Sequence, residues 1–313
     1  LINLVGEMKF VSMIIIFAAA FFSGCKQEKA IPTTSNQTYL VRPGDIVVVN
    51  GASRSLILLD ASGGYKTVLY DLDNIAESIY DVAFKKDTKE IIFTVNGSAR
   101  VGAVSVVDGT YRTLISDANL TGALKGLTQL VNGDILVSEI SNIERFTTNG
   151  VRRTSVSGVT WPNTLGGTST TAEQLFATAD GGFVVCSSGS DNVKRYTENA
   201  VIVGAAVVSG IAATTDAFGC IELADGKIAM AFSGTTDTIR TVSAAMTGIA
   251  TVYSDLAVLA SPRTLTQALN GNILVVDSVY NQIVEITTSG IFIRTLGGSI
   301  IGTPNAVFSV PNY

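Results

Sequence analysis

The chain has 313 residues, 47% hydrophobic and 15% charged, with a net charge of −5. That is enough apolar sequence for a large core, and the acidic balance excludes a general nucleic-acid binder, which needs basic surface to displace counterions. Histidine is absent and the cysteines are three, Cys25, Cys186 and Cys220, which excludes a His-based triad, a His-ligated metal, a disulfide-scaffold fold and a four-thiolate site.

At the N-terminus, Met8 reads as the initiator and Lys9 as a short positive segment. Phe10 to Phe22 is apolar apart from Ser12, and its 13 residues are too short for a permanent span. The run ends in Phe22-Ser23-Gly24-Cys25. This resembles the bacterial lipobox, although Phe22 stands where that motif usually has Leu. The resemblance implies a lipoprotein signal peptide over residues 1–24, cleavage before Cys25, and lipid on its thiol. Two or more acyl chains give stable attachment where one does not. Lys26 and Gln27 follow, where Asp commonly signals inner-membrane retention. In a Gram-negative host the expectation is therefore an outer-membrane lipoprotein of the cell envelope, periplasmic or surface-facing. The competing reading is a buried N-terminal helix with an incidental cysteine. Residues 25–39 are the acylated cysteine and a polar, Pro32-containing segment without periodicity, expected as a flexible tether.

Residues 40–313 repeat. A turn followed by a short apolar strand begins at Gly44, Lys89, Gly133, Gly181, Gly226 and Gly271, so successive starts differ by 45, 44, 48, 45 and 45 residues. Six copies at that period predict a six-bladed β-propeller, all-β, with four antiparallel strands per blade. In the last unit the strands are expected over 264–269, 273–277, 282–286 and 291–296. Asn132-Gly133, Asp180-Gly181, Asp225-Gly226 and Asn270-Gly271 mark one set of hairpins, since these pairs tolerate positive φ. The first unit lacks an inner strand, and Thr303 to Val310 looks like an inner strand without a blade. The C-terminal strand is therefore expected to complete the first blade and close the ring, leaving only short edges. Two stacked sheets are the rival architecture.

Pro262, Asn270-Gly271-Asn272-Ile273, Val276-Asp277, Asn281-Gln282-Ile283, Ser289-Gly290 and Ile293 to Gly297 resemble an NHL repeat. The match is good over this blade and loose elsewhere, and it implies a fold more than an activity.

Propeller ligands usually occupy the channel mouth where inner strands begin. Counting eight residues back from each hairpin glycine or its equivalent gives Asp81, Lys125, Glu173, Phe218 and Arg263, and the Pro262/Pro304 match adds Asn305. These six are expected to ring one mouth, in the order Asn305, Asp81, Lys125, Glu173, Phe218, Arg263. A slip of one residue would turn a side chain to the other face. The ring reads either as a polar ligand pocket or as a mutually neutralising set that solvates the channel end, two acids against two bases. Four residues before the glycines lie Gln129, Glu222 and Gln267, with Ser309 by the C-terminal match. They are expected to hydrogen-bond neighbouring blades. Cys186 and Cys220 fall on strand-like runs of successive blades. They are expected as buried free thiols, with a disulfide the alternative in an oxidising compartment. Trp161-Pro162 sits in the longest insert, residues 158–171, as a recognition loop or a lid over the core.

The sequence implies no cofactor and no metal. The first functional reading is a membrane-anchored binding or scaffolding module for an envelope protein or glycan. The second is a channel-site hydrolase resembling lactonase or gluconolactonase propellers. Without histidine, its base would be a carboxylate, with Glu173 the best catalytic candidate, while Lys125 and Arg263 would oppose the calcium-type ion such enzymes hold.

Overall fold

In the computed structural model the described residues are 39–313 without 122, 141, 165–170 and 205–214. Cys25, the leader and residues 25–38 of the tether lie outside them.

The strands form six antiparallel blades and one small two-stranded sheet. Blade 1 holds β1 (Ile46–Asn50), β2 (Ser55–Leu59), β3 (Tyr65–Asp71) and, innermost, β24 (Pro304–Ser309). Blade 2 is β4 (Ser78–Lys85), β5 (Glu90–Asn96), β6 (Arg100–Ser105) and β7 (Tyr111–Ser116). Blade 3 is β8 (Leu124–Gln129), β9 (Ile135–Glu139) and β10 (Asn142–Phe146); a small hairpin, β11 (Ser155–Val156) and β12 (Val159–Thr160), follows it. Blade 4 is β13 (Ala172–Ala177), β14 (Phe183–Ser187) and β15 (Asn192–Tyr196). Blade 5 is β16 (Thr215–Glu222), β17 (Ile228–Gly234), β18 (Thr238–Val242) and β19 (Ala250–Tyr253). Blade 6 is β20 (Pro262–Gln267), β21 (Ile273–Asp277), β22 (Gln282–Ile286) and β23 (Phe292–Leu296).

The inner strands touch in a closed cycle, β24 to β4, β8, β13, β16, β20 and back to β24. The C-terminal strand therefore completes the first blade as expected, pairing antiparallel with β1 from Ile46↔Ser309 to Val49↔Ala306. Four strands per blade is corrected for blades 3 and 4. Their fourth segments pair only through single bridges, Phe146↔Arg152 and Tyr196↔Ile202. In blade 3 the small hairpin, turning at Ser157 and Gly158 with φ of 51° and 81°, takes the chain away after Arg153. In blade 4 Gly204, with φ of 73°, ends the run.

Each sheet is covered on both faces by its neighbours. Central strands are accordingly apolar on both sides, β1, β9, β14 and β21 being buried throughout, while the outer β3 and β23 are mostly exposed. The buried apolar side chains among the described residues fall into six clusters, one between each pair of adjacent blades. The expected hairpin glycines have the positive φ that their turns demand, 92° at Gly133 and 86° at Gly271. Toward the axis the strands approach so closely that a Cβ on Gly219 would lie 2.3 Å from the Arg263 carbonyl oxygen.

Cys186 of β14 and Cys220 of β16 are joined in a disulfide, with Cα atoms 5.8 Å apart. The expectation of two free thiols is thereby corrected: successive blades bring the two cysteines within bridging reach. Trp161 is buried in the cluster between blades 3 and 4, 5.5 Å from the Arg145 guanidinium.

Candidate functional site: the channel mouth

Every inner strand breaks register with its neighbour at the predicted ring position. The shifts fall between Ile79 and Val82, Leu124 and Leu127, Ala172 and Gln174, Ala217 and Gly219, and Pro262 and Leu265. In blade 1, Asn50 pairs with Pro304 and Val49 with Ala306, leaving Asn305 as the extra residue. A bulge bends a strand and re-aims its side chains, and bulges gather at rims and sites. Here six of them turn one residue per blade toward the mouth.

Blade 2 departs from the count. Aligned on the bulge, Lys85↔Glu90 encloses four residues, whereas the equivalent Leu130 and Asp134 enclose three in blade 3. Counting eight back from the turn therefore stops one residue short, and Tyr80 takes the ring position. Asp81 faces the other way. It is 1% exposed and accepts from the backbone N–H of Leu127 at 2.9 Å. Burial pushes its carboxyl up to about 7.

Tyr80, Lys125 and Glu173 form one contact group. The Lys125 ammonium lies 4.0 Å from the Tyr80 ring centroid, donates to the Tyr80 hydroxyl at 2.8 Å, and sits 3.3 Å from Glu173 Oε2. Tyr80 also donates to Glu173 Oε2, and Ser188 donates to Oε1 at 2.7 Å. Burial and the Glu173 charge hold the Tyr80 hydroxyl well above the usual phenol range. Glu173 thus accepts from three donors, Tyr80, Lys125 and Ser188.

Phe218 and Arg263 form a second group. The guanidinium lies 3.9 Å from the Phe218 ring centroid, and Nε donates to Ser278 Oγ at 3.3 Å. Among the described residues Arg263 makes no ion pair within 4 Å, in contrast to Lys125. Asn305 donates to the Ile79 carbonyl at 3.2 Å, tying blade 1 to blade 2. The neutralising-ring arithmetic is corrected accordingly. Asp81 is withdrawn, so the ring carries Lys125, Arg263 and Glu173, one net positive charge.

Two carboxyls near this mouth escaped the sequence reading. Burial, then a hydrogen bond to Asp191, raises the Asp216 pKa, with Arg263 pulling it back and Glu173 adding to the rise. Asp216 therefore holds its proton above the usual carboxylate range. Asp216 opens β16 and Asp191 lies in the β14–β15 turn. Only the pairing of blade 4 against blade 5 brings them together. Among the described residues no three Asp, Glu or Cys side chains gather as metal ligands.

The second predicted set behaves as expected on three of its four positions. Gln129 accepts from Lys86 N at 2.8 Å, Glu222 from Ala179 N at 2.5 Å and Gln267 from Ala224 N at 2.8 Å, each reaching the preceding blade. Among the described residues the buried Ser309 hydroxyl finds no partner.

A six-bladed β-propeller with a preorganised charged mouth is the class that these observations define. No protein-family model matches the chain, and no curated protein does. Among solved structures it is similar to a chain of a nidogen–laminin complex, at 14% identity and a TM-score of 0.66, covering 84% of this chain and 97% of that one. It is also similar to a Bacteroides caccae protein of unknown function, at 17% identity and TM-score 0.62, covering 85% and 98%. A gluconolactonase from Xanthomonas campestris matches at 12% identity and TM-score 0.58, covering 86% and 88%. At such identities the likeness is one of fold.

Proposed function

We propose that this chain is an NHL-like envelope lipoprotein, anchored through Cys25, whose propeller is a binding module for a protein or glycan. The recognition face is the ring mouth, and Arg263 on Phe218 is its anchor for an anionic group of the partner. The observation that carries the reading is this guanidinium: seated over the Phe218 ring, hydrogen-bonded to Ser278, and without an ion pair among the described residues. These contacts immobilise the fork before binding, so less side-chain entropy is lost when a carboxylate or sulfate docks. The lipobox-like run before Cys25 supports the anchor, and the Cys186–Cys220 disulfide fits an oxidising compartment outside the cytoplasm.

Two tests address the halves of this reading. Cells fed labelled palmitate incorporate it into the wild-type chain and not into Cys25→Ala; equal labelling removes the anchor. The full-length protein retains a specific protein or glycan from its own envelope extract. Arg263→Ala weakens that retention about tenfold to a hundredfold, the range of a charge-assisted hydrogen bond. Retention unchanged in Arg263→Ala contradicts the assignment of the anchor residue.

The hydrolase reading has one observation in its favour, the raised carboxyl of Asp216, which neighbours Asp191 and feels the Arg263 charge. It shifts the candidate base from Glu173 to Asp216. Ester or lactone turnover that is lost in Asp216→Asn, with no partner retained, would replace the binding reading by this one.

A further inference from the structure

The loops of blade 6 carry an apolar strip beside Arg263. Pro262 pairs with Asp277, so the β21–β22 turn, residues 278–281, and the β19–β20 connection, residues 254–261, lie at the same end of the blade as the ring mouth. Leu256, Val279 and Tyr280 are 57%, 58% and 47% exposed there. The Tyr280 hydroxyl donates to the Leu256 carbonyl at 3.4 Å, which joins the two loops. Ser278, next to Val279 in the chain, accepts from Arg263 Nε at 3.3 Å, so the strip continues to the mouth.

Both loops are pinned from below. The buried side chain of Asp277 accepts from the backbone N–H of Ala260 at 2.8 Å, of Val279 at 3.0 Å and of Tyr280 at 3.1 Å. Gln282 donates to the Val258 carbonyl at 2.8 Å. The exposed side chains are thus presented on a held backbone, and apolar groups exposed together within a polar rim mark interaction sites. Leu256 and Val279 offer a sugar neither a ring face nor a hydrogen bond, whereas apolar side chains of a protein bury well against them. Arg263 fixes the charge of what lies beside those side chains, because it has no ion pair among the described residues. The acids around it are otherwise engaged: Glu173 with Tyr80, Lys125 and Ser188, and Asp277 with its three N–H groups. Burial, then Asp191, raises the Asp216 carboxyl, which lessens the negative charge near Arg263. Asp255 accepts from Ala257 N at 3.0 Å within its own loop.

We propose that the partner bound at the ring mouth is a protein, which lays an apolar side chain on Leu256, Val279 and Tyr280 while a neighbouring carboxylate pairs with Arg263. Tyr and Arg are the residue types in which interface energy concentrates. The inference rests on the reading of Arg263 as the anchor, and it narrows the partner from a protein or glycan to a protein.

The test pans a phage-displayed library of random short peptides against the full-length protein, with an oligogalacturonate as the acidic glycan probe. Selected peptides should carry Asp or Glu beside an apolar side chain, and synthetic copies with the acid changed to its amide should bind about tenfold more weakly. Leu256→Ser and Val279→Ser alter exposed side chains and should leave thermal unfolding unchanged, yet each should weaken the peptides about three- to tenfold. Arg263→Ala should weaken them about tenfold to a hundredfold. A library that yields no Arg263-dependent peptide, or peptides indifferent to both Leu256→Ser and Val279→Ser, overturns the proposal. Oligogalacturonate binding that Arg263→Ala abolishes and Val279→Ser leaves untouched, with no peptide selected, overturns it while keeping the anchor. If Arg263→Ala weakens neither probe, the anchor itself is lost.

Discussion

Asp81 shows how one side chain's direction changes what a residue does. It sits between blades 2 and 3 with backbone N–H partners and, among the described residues, no cation. Burial raises its pKa from 3.8 to about 7, so the fold favours the neutral form. The folded state then holds a proton that the unfolded chain releases. This contribution to stability is complete below about pH 4 and is lost as the pH climbs through about 7. In urea unfolding, Asp81→Asn, which keeps the acceptor for Leu127, should flatten the decline of stability between pH 4 and 8, by a few kcal/mol at the alkaline end. Parallel profiles for the two proteins would mean that the carboxyl is ionised at no cost. At the ring, Lys125, Glu173, Phe218, Arg263 and Asn305 were legible because the repeat aligns them. Tyr80 was not, because a hairpin one residue longer moves the alignment by one residue and nothing in composition reveals it. Asp191 and Asp216 were not, because one lies in a turn and the other opens a strand, and only inter-blade packing joins them.

The strands themselves were largely readable. The run expected over 273–277 is β21, and that over 282–286 is β22, because alternating turns and apolar runs leave little choice of boundary. The missing fourth strands of blades 3 and 4 were less readable, since an outer strand gains only one neighbour and a few polar or glycine residues suffice to loosen it. The cysteine pairing also required geometry, as strand assignment does not say which faces meet. The disulfide links a central strand of blade 4 to the inner strand of blade 5 across 34 residues of chain. The double replacement Cys186→Ala with Cys220→Ala should lower unfolding stability by about 2–4 kcal/mol. Denatured, unreduced wild-type protein should resist alkylation at both cysteines; modification at both would remove the bridge.

At the scale of the molecule, the charged mouth exists because six sheets close around one axis. Opening the ring between blades 5 and 6 would separate Arg263 from Phe218, since the pair is shared between blades. The closure depends on a pairing between the two ends of the repeat region, β24 against β1, which carries the longest loop-closure cost in the chain. It is repaid by the clusters that blade 1 forms with blades 2 and 6.

Native-state amide hydrogen exchange on the full-length protein tests this closure directly. Peptides covering residues 304–310 should exchange as slowly as those covering the central strand β21, residues 273–277. Exchange of 304–310 at the rate of an unstructured chain, with β21 still protected, would contradict a closed ring and the ring mouth that depends on it.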